Sequence, residues 1–224
     1  MVCFKKIIIF FSFFISSIIF SFDIPYSHLE YTEIIDSLSY KNIIDISTEN
    51  SSICLDFSCP GKKYIVICNE ELMTTYSFLK NTEKDSFYEI VLENRTIHIT
   101  SFQNGYESQS EYLWDGNTPW IQAIELSMVN FIKSDSTSMR FWLINPSDGK
   151  KMDMIAIKEG IYQLDVLGKK ENCTKVKVTL DSFLSIFWSV SYWFRNADGL
   201  FVRYEGLKGG PASPKKHISI LNYN

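Results

Sequence analysis

The stretch 184–206, LSIFWSVSYWFRNADGLFVRYEG, decides the fold. Apolar and polar residues alternate, stop at Asn196-Ala197-Asp198-Gly199 and resume, which is the signature of a β-hairpin. Asn at the first turn position, Asp at the third and Gly at the fourth suit a type I turn closed by a left-handed glycine bulge. With Asn196 opposite Leu200, that turn predicts Phe194 facing Val202, Tyr192 facing Tyr204, Trp193 facing Arg203 and Ser191 facing Glu205. Val190, Tyr192, Phe194, Val202 and Tyr204 then share one face. Ser189, Ser191, Arg195, Arg203 and Glu205 share the other, where Trp193 and Arg203 form a cation–π pair.

Working outward, the same alternation recurs. Ile53-Leu55-Phe57 and Tyr64-Val66-Cys68 flank a Pro60-Gly61 turn. Residues 72–79 form a strand, 87–92 and 96–102 a hairpin across Glu93-Asn94-Arg95, and 106–114 one more strand. Residues 139–144 and 152–157 flank Pro146-Ser147-Asp148-Gly149, which repeats the turn chemistry of the opening hairpin and predicts Trp142 opposite Met154 and Ile144 opposite Met152. Strands over 161–167, 174–180 and 217–221 complete the set, with Val176, Val178 and Leu180 inward against Lys175 and Lys177. Ile34, Ile35 and Leu38, followed by Ile43 and Ile44, read as a short helix and then a strand.

One segment changes period. Trp120, Ile121, Ile124, Met128, Phe131 and Ile132 recur at helical spacing behind Thr118, a good N-cap, and Pro119, a favoured first helical residue. Glu125 falls on the wet side of that helix, and Asp115 belongs to the turn leading into it. The expected fold is mainly β: roughly eleven to thirteen strands at spacings of about 10 residues, in one long antiparallel meander. An open sheet that long curls, so the architecture is a half or nearly closed barrel around one amphipathic helix at about 118–133.

Composition agrees. Of 224 residues 46% are hydrophobic and 15% aromatic, and β-branched or aromatic residues dominate most apolar runs. Residues 1–21 read as a secretory signal peptide, with Lys5 and Lys6 before an apolar run over 7–20 and cleavage near Ser21. Ile19, not a small residue, stands three positions before that cut, which leaves an uncleaved anchor as the alternative. Residues 22–224 then form a single domain. Loss of the leader takes the formal charge from 22 minus 26, or −4, to 20 minus 26, or −6, a balance that argues against nucleic acid as a partner. Cys54, Cys59, Cys68 and Cys173 remain, and a bridge among the first three is the expected pairing, with buried free thiols as the alternative.

The usual catalytic signatures are missing. Motifs for a nucleophile elbow, a zinc protease helix, a P-loop and a dinucleotide-binding turn are absent, and His28, His98 and His217 are scattered. The expectation is no enzyme, no cofactor and no metal site. The Gly209-Gly210-Pro211 loop with Lys208, Lys215 and Lys216 reads as an ordinary connection. What remains is the apolar interior. Trp120, Ile124, Met128, Trp142, Met154, Trp188, Tyr192 and Phe194 are the candidate lining of a ligand space, with plain core as the alternative.

At Tyr192-Trp193-Phe194, the Asp198-Gly199 turn, Val202-Arg203-Tyr204-Glu205, the Gly-Gly-Pro loop, and Asp115, Pro119-Trp120 and Gln122, the chain resembles a group of uncharacterised exported bacterial proteins placed with the lipoprotein-carrier (Lol-type) half barrels. The resemblance spans roughly 52–221, by pattern. It implies a periplasmic or secreted envelope protein whose curved sheet surrounds helical cover and takes an acyl chain or other apolar ligand. No functional residue is carried over. The expected partners are a lipid or apolar small molecule and, on a second reading, an envelope protein met by a packed structural domain that binds no ligand.

Overall fold

The computed structural model describes residues 24–146, 148–186, 188–207 and 213–224. The leader over 1–21 and the Gly209-Gly210-Pro211 loop lie outside the described residues. Strands β1 His28–Ile35, β2 Leu38–Glu49, β3 Ser52–Cys59, β4 Lys62–Cys68, β5 Thr74–Asn81, β6 Ser86–Glu93, β7 Thr96–Gln103 and β8 Tyr106–Leu113 precede two short helices, α1 Ile124–Ser127 and α2 Val129–Lys133. Strands β9 Ser138–Ile144, β10 Lys151–Val166, β11 Lys169–Leu180, β12 Ser189–Arg195, β13 Phe201–Leu207 and β14 Lys215–Tyr223 follow. All pair antiparallel in one 14-stranded sheet, ordered β8-β7-β6-β5-β4-β3-β2-β1-β14-β13-β12-β11-β10-β9.

The protein is thus mainly β, as its alternation implies, but it is not one meander. Two meanders, β1 to β8 and β9 to β14, join where β1 pairs with β14, Tyr31 facing Ile220 and Glu33 facing Ile218. The expected helix near Ile34 is the end of β1. Asp36 and Ser37 both take positive φ, 46° and 75°, and turn the chain directly into β2. Asn50-Ser51, Asn94-Arg95, Asn104-Gly105 and Leu167-Gly168 do the same, the geometry of a tight primed turn whose twist matches that of the strands.

The central hairpin forms, with one correction. Tyr192 faces Tyr204, Trp193 faces Arg203 and Ser191 faces Glu205 as expected, but Phe194 faces Phe201. The Gly199 N–H donates to the Arg195 carbonyl at 2.8 Å and the Arg195 N–H to Leu200 O at 2.8 Å, so the loop closes on Arg195 and not on Asn196. A bulge at Val202 absorbs the slip. The β9–β10 loop repeats these bonds, Gly149 N–H to Asn145 O at 2.8 Å and Asn145 N–H to Lys150 O at 2.9 Å. No bulge follows it. Trp142 therefore faces Asp153, not Met154, and Ile144 faces Lys151, not Met152.

The helix is shorter than its periodicity suggests. Residues 118–123 are not helical; Trp120 instead bridges Trp142 in parallel. Trp142 N–H donates to Pro119 O at 2.8 Å and Ile121 N–H to Trp142 O at 2.9 Å, while Thr74 N–H donates to Trp120 O at 3.0 Å. This strap covers the free edge of β9 and ties it to β5, an edge that would otherwise offer unpaired backbone groups. Thr118 and Pro119 shape the turn before the strap: the Asp115 carboxylate accepts from the backbone N–H of Asn117 and Thr118, each at 2.8 Å, and from the Thr118 hydroxyl.

Among the described residues Cys54, Cys59, Cys68 and Cys173 are all free. Cys54 faces Ile67 while Cys68 faces Ile53, so these two thiols lie on opposite faces of the sheet. Cys59 faces Lys62, which puts it roughly 20 Å along β4 from Cys68 at the rise of a strand. None of the bridges expected among them is reachable.

Candidate functional site

The candidate lining residues pack rather than open. Ile124, Met128, Met154, Tyr192 and Phe194 are buried in the main core, with Trp188 partly buried against it. Trp120 and Trp142 belong to a second cluster with Ile90, Ile97, Ile99 and Ile144. Register explains the separation: Trp142 and Ile144 lie on the face of β9 opposite Phe141, which pairs with Met154.

A cleft of about 310 Å³ opens elsewhere, between the middle of the sheet and the start of α1. Tyr31 and Glu33 of β1, Asn42 and Ile44 of β2, Phe57 and Cys59 of β3, Tyr64 of β4, Leu79 of β5, Phe201 of β13, and Lys216 and Ile218 of β14 build its wall, with Gln122 and Glu125 opposite. Tyr31 faces Ile220 and Asn42, Ile44 faces Phe57, Phe57 faces Tyr64 and Tyr64 faces Leu79. Directly opposed residues share a face, so the wall is one continuous surface. The rings gather in pairs, Tyr31 with Phe201 at 5.3 Å and Phe57 with Tyr64 at 5.1 Å between centroids.

Polar groups are few and fixed. The Tyr64 hydroxyl donates to the Gln122 carbonyl and that of Tyr31 to the Phe201 carbonyl, each at 3.0 Å. At the mouth Lys216 Nζ lies 2.7 Å from Glu33 Oε1, and Asn42 Nδ2 donates to Glu33 Oε2 at 2.6 Å. Gln122 is anchored from the other side. Its Oε1 accepts from Trp120 Nε1 at 3.1 Å and from Ile144 N–H at 2.7 Å, and its Nε2 donates to Ile144 O at 2.9 Å. The side-chain amide thus pairs with Ile144 as a neighbouring peptide group would, and it sets the direction in which α1 begins.

That direction turns Glu125 into the cleft. It is half-buried and not on a wet helix face. Burial pushes its carboxyl above the usual value; its own backbone N–H and Lys216 pull the other way, and Glu33 adds to the rise. Among the described residues no ion pair or side-chain hydrogen bond reaches it. Burial also raises the phenols of Tyr31, Tyr64, Tyr192 and Tyr204, and the charge of Glu125 adds to each. The site is therefore one carboxylate within electrostatic reach of four tyrosines. Cys59 beside it has a thiol raised by burial, the inert form of the side chain. Among the described residues no group of His, Cys, Asp and Glu is arranged to hold a metal ion.

Of this site, sequence reasoning found Glu125 but placed it in water, and it noted Gln122 only in passing. The tyrosines of β1 and β4 gave no separate signal, because alternation places them on the inner face without distinguishing cleft from core.

Fold and cleft together define a mainly β protein in which one antiparallel sheet carries a partly apolar cleft beneath a short helix. It is similar to the crystal structure of a β-barrel-like protein of a domain of unknown function, DUF1849, from Brucella abortus, with a TM-score of 0.56 and 8% identity over 89% of this chain and 97% of that one. The hypothetical lipoprotein YmcC from Escherichia coli (K12) aligns at a TM-score of 0.41 and 8% identity over 89% of each chain, too distant to carry an argument. No protein-family model matches the chain, and no curated protein matches it in sequence.

Proposed function

We propose that this is an exported envelope protein that holds a lipid or other apolar ligand between the inner face of a barrel-like sheet and its helix. The observation that carries the reading is the cleft: about 310 Å³, walled by Tyr31, Ile44, Phe57, Tyr64, Leu79 and Phe201, with the Tyr31 and Tyr64 hydroxyls tied to backbone carbonyls, Lys216 and Asn42 tied to Glu33, and Gln122 and Glu125 opposite. An apolar wall with a few convergent polar groups is the usual form of a small-molecule site. Curling of the sheet is part of the proposal. It is supported by the strap that ties β9 to β5 and by the cluster in which Trp142 and Ile144 meet Ile90, Ile97 and Ile99, and by the likeness to a β-barrel-like fold. Export rests on the basic-then-apolar pattern of residues 1–21. On this reading the Lol-type half barrels are distant relatives in architecture.

Native mass spectrometry with lipid extraction, on protein purified from its own envelope, tests the reading. A copurified apolar molecule displaced by Phe57→Trp, which fills the cleft, is the expected result. Ligand-free protein in the cell interior with an intact residue 1 would overturn it.

A further inference from the structure

The cleft described above contains a carboxyl with no ion-pair partner among the described residues, and its surroundings indicate what would fill that place. Glu125 stands opposite a wall on which Tyr31, Phe57, Tyr64 and Phe201 present aromatic rings. The cations that line the cleft are engaged or lie outside: Lys216 Nζ is held by Glu33 at 2.7 Å, and Lys62 is exposed at the rim. A carboxylate withdrawn from water without a counter-ion is costly, whereas one that receives a cation among aromatic rings gains both charge pairing and cation–π attraction. Neutral hydrogen-bond donors satisfy a carboxylate less well, since bonds between two charged partners are about twice as strong.

The geometry points to a protonated or quaternary amine as the polar head of the ligand, with Glu125 as its counter-charge and the rings of Tyr31, Phe57, Tyr64 and Phe201 enclosing its alkyl shell. The inference rests on the proposed apolar-ligand reading and narrows it from any apolar molecule to an amine-bearing one. Two sources share this chemistry, an amine lipid and a free alkylamine. The raised carboxyl of Glu125 fits a group whose charge waits for a partner, and the phenols around it stay neutral.

Equilibrium dialysis of the full chain against decylamine, decanol and butylamine at neutral pH decides the matter. The wild type is expected to bind decylammonium about tenfold or more tighter than decanol, the scale of one desolvated charge pair with a ring contact. Glu125→Gln is expected to remove that preference while decanol affinity stays within about twofold, since only the charge is lost. Equal binding of decylammonium and decanol by the wild type overturns the amine assignment and leaves the apolar-ligand reading standing. Butylammonium binding without decanol binding supports the amine assignment with a free amine as source and overturns the lipid reading. Binding of none of the three overturns both. The wild-type preference decides by itself if Glu125→Gln does not fold.

Discussion

Replacing Gln122 with Leu isolates what the strap contributes to stability. The substitution keeps most of the volume and removes the amide, which strands Ile144 N–H, Ile144 C=O and Trp120 Nε1–H, all in a region where Gln122 is 8% exposed and Ile144 fully buried. Each buried polar group left without a partner costs ~1–3 kcal/mol. Water admitted along the loosened edge and the apolar gain from leucine recover part of that sum, so the expected loss is about 4 kcal/mol. With a urea slope of about 2 kcal/mol/M, the midpoint falls by about 2 M. Urea unfolding followed by far-UV circular dichroism measures it, and amide exchange at Ile144 reports whether the edge itself has opened. A midpoint shift below about 0.5 M for Gln122→Leu, with Ile144 still protected, would show that the strap does not depend on this amide and refute the reasoning.

Two further outcomes follow from the central hairpin. Burial alone would raise the Asp198 carboxyl, but hydrogen bonds from Arg195 and Tyr26 outweigh it and hold it below its ordinary value of 3.8; its contribution is therefore complete above that pH and is lost as pH falls through the depressed folded value. Asp198→Asn should flatten the acid limb of the stability profile and cost roughly 2 kcal/mol at pH 7, less than the ~3–5 of a fully buried pair because Asp198 keeps 23% exposure; an unchanged acid limb in a pH series of thermal melts would contradict this. Gly199 sits at a φ of +82°, and a β-carbon at this position would lie 2.7 Å from Val129 Cγ1, so Gly199→Ala should cost about 3 kcal/mol from left-handed backbone and overpacking together; chemical denaturation showing a loss under ~1 kcal/mol would mean that the hairpin tip does not rest on α2.

How much of this was legible in the sequence depends on the range of the interaction. Strict alternation announced most strands, and the pairs Tyr192–Tyr204 and Trp193–Arg203 match the expected register because the bulge at Val202 offsets the slip in the loop. Trp193 is nevertheless buried on the face opposite Tyr192, because Lys175 and Arg203 both lie over its ring, at 5.5 and 5.2 Å. The one-residue slip at both Asp-Gly loops was not legible: Asp third and Gly fourth suit either closure, and only the backbone bonds distinguish them. Asp36-Ser37 hid a hairpin because neither residue is the glycine that usually marks a primed turn. Periodicity overran the helix at its start, since Trp120 and Ile121 are spaced for a helix but are claimed by β9 and β5. Glu125 looked solvated for the same reason. A helical wheel describes a helix by itself, and the sheet that covers its polar side comes from strands far away in the chain.

The pairing of β1 with β14 also sets an order of events. Tyr31 cannot meet Ile220 until the chain has been made beyond that residue, so β1 and β13 keep an open side while the rest of the sheet assembles. Contacts of such sequence separation form slowly and leave strand edges open to wrong partners. The last strand acts as a zip fastener: until it closes, the two halves of the sheet are separate folding units. A chain built this way gains from being kept unfolded until it is whole.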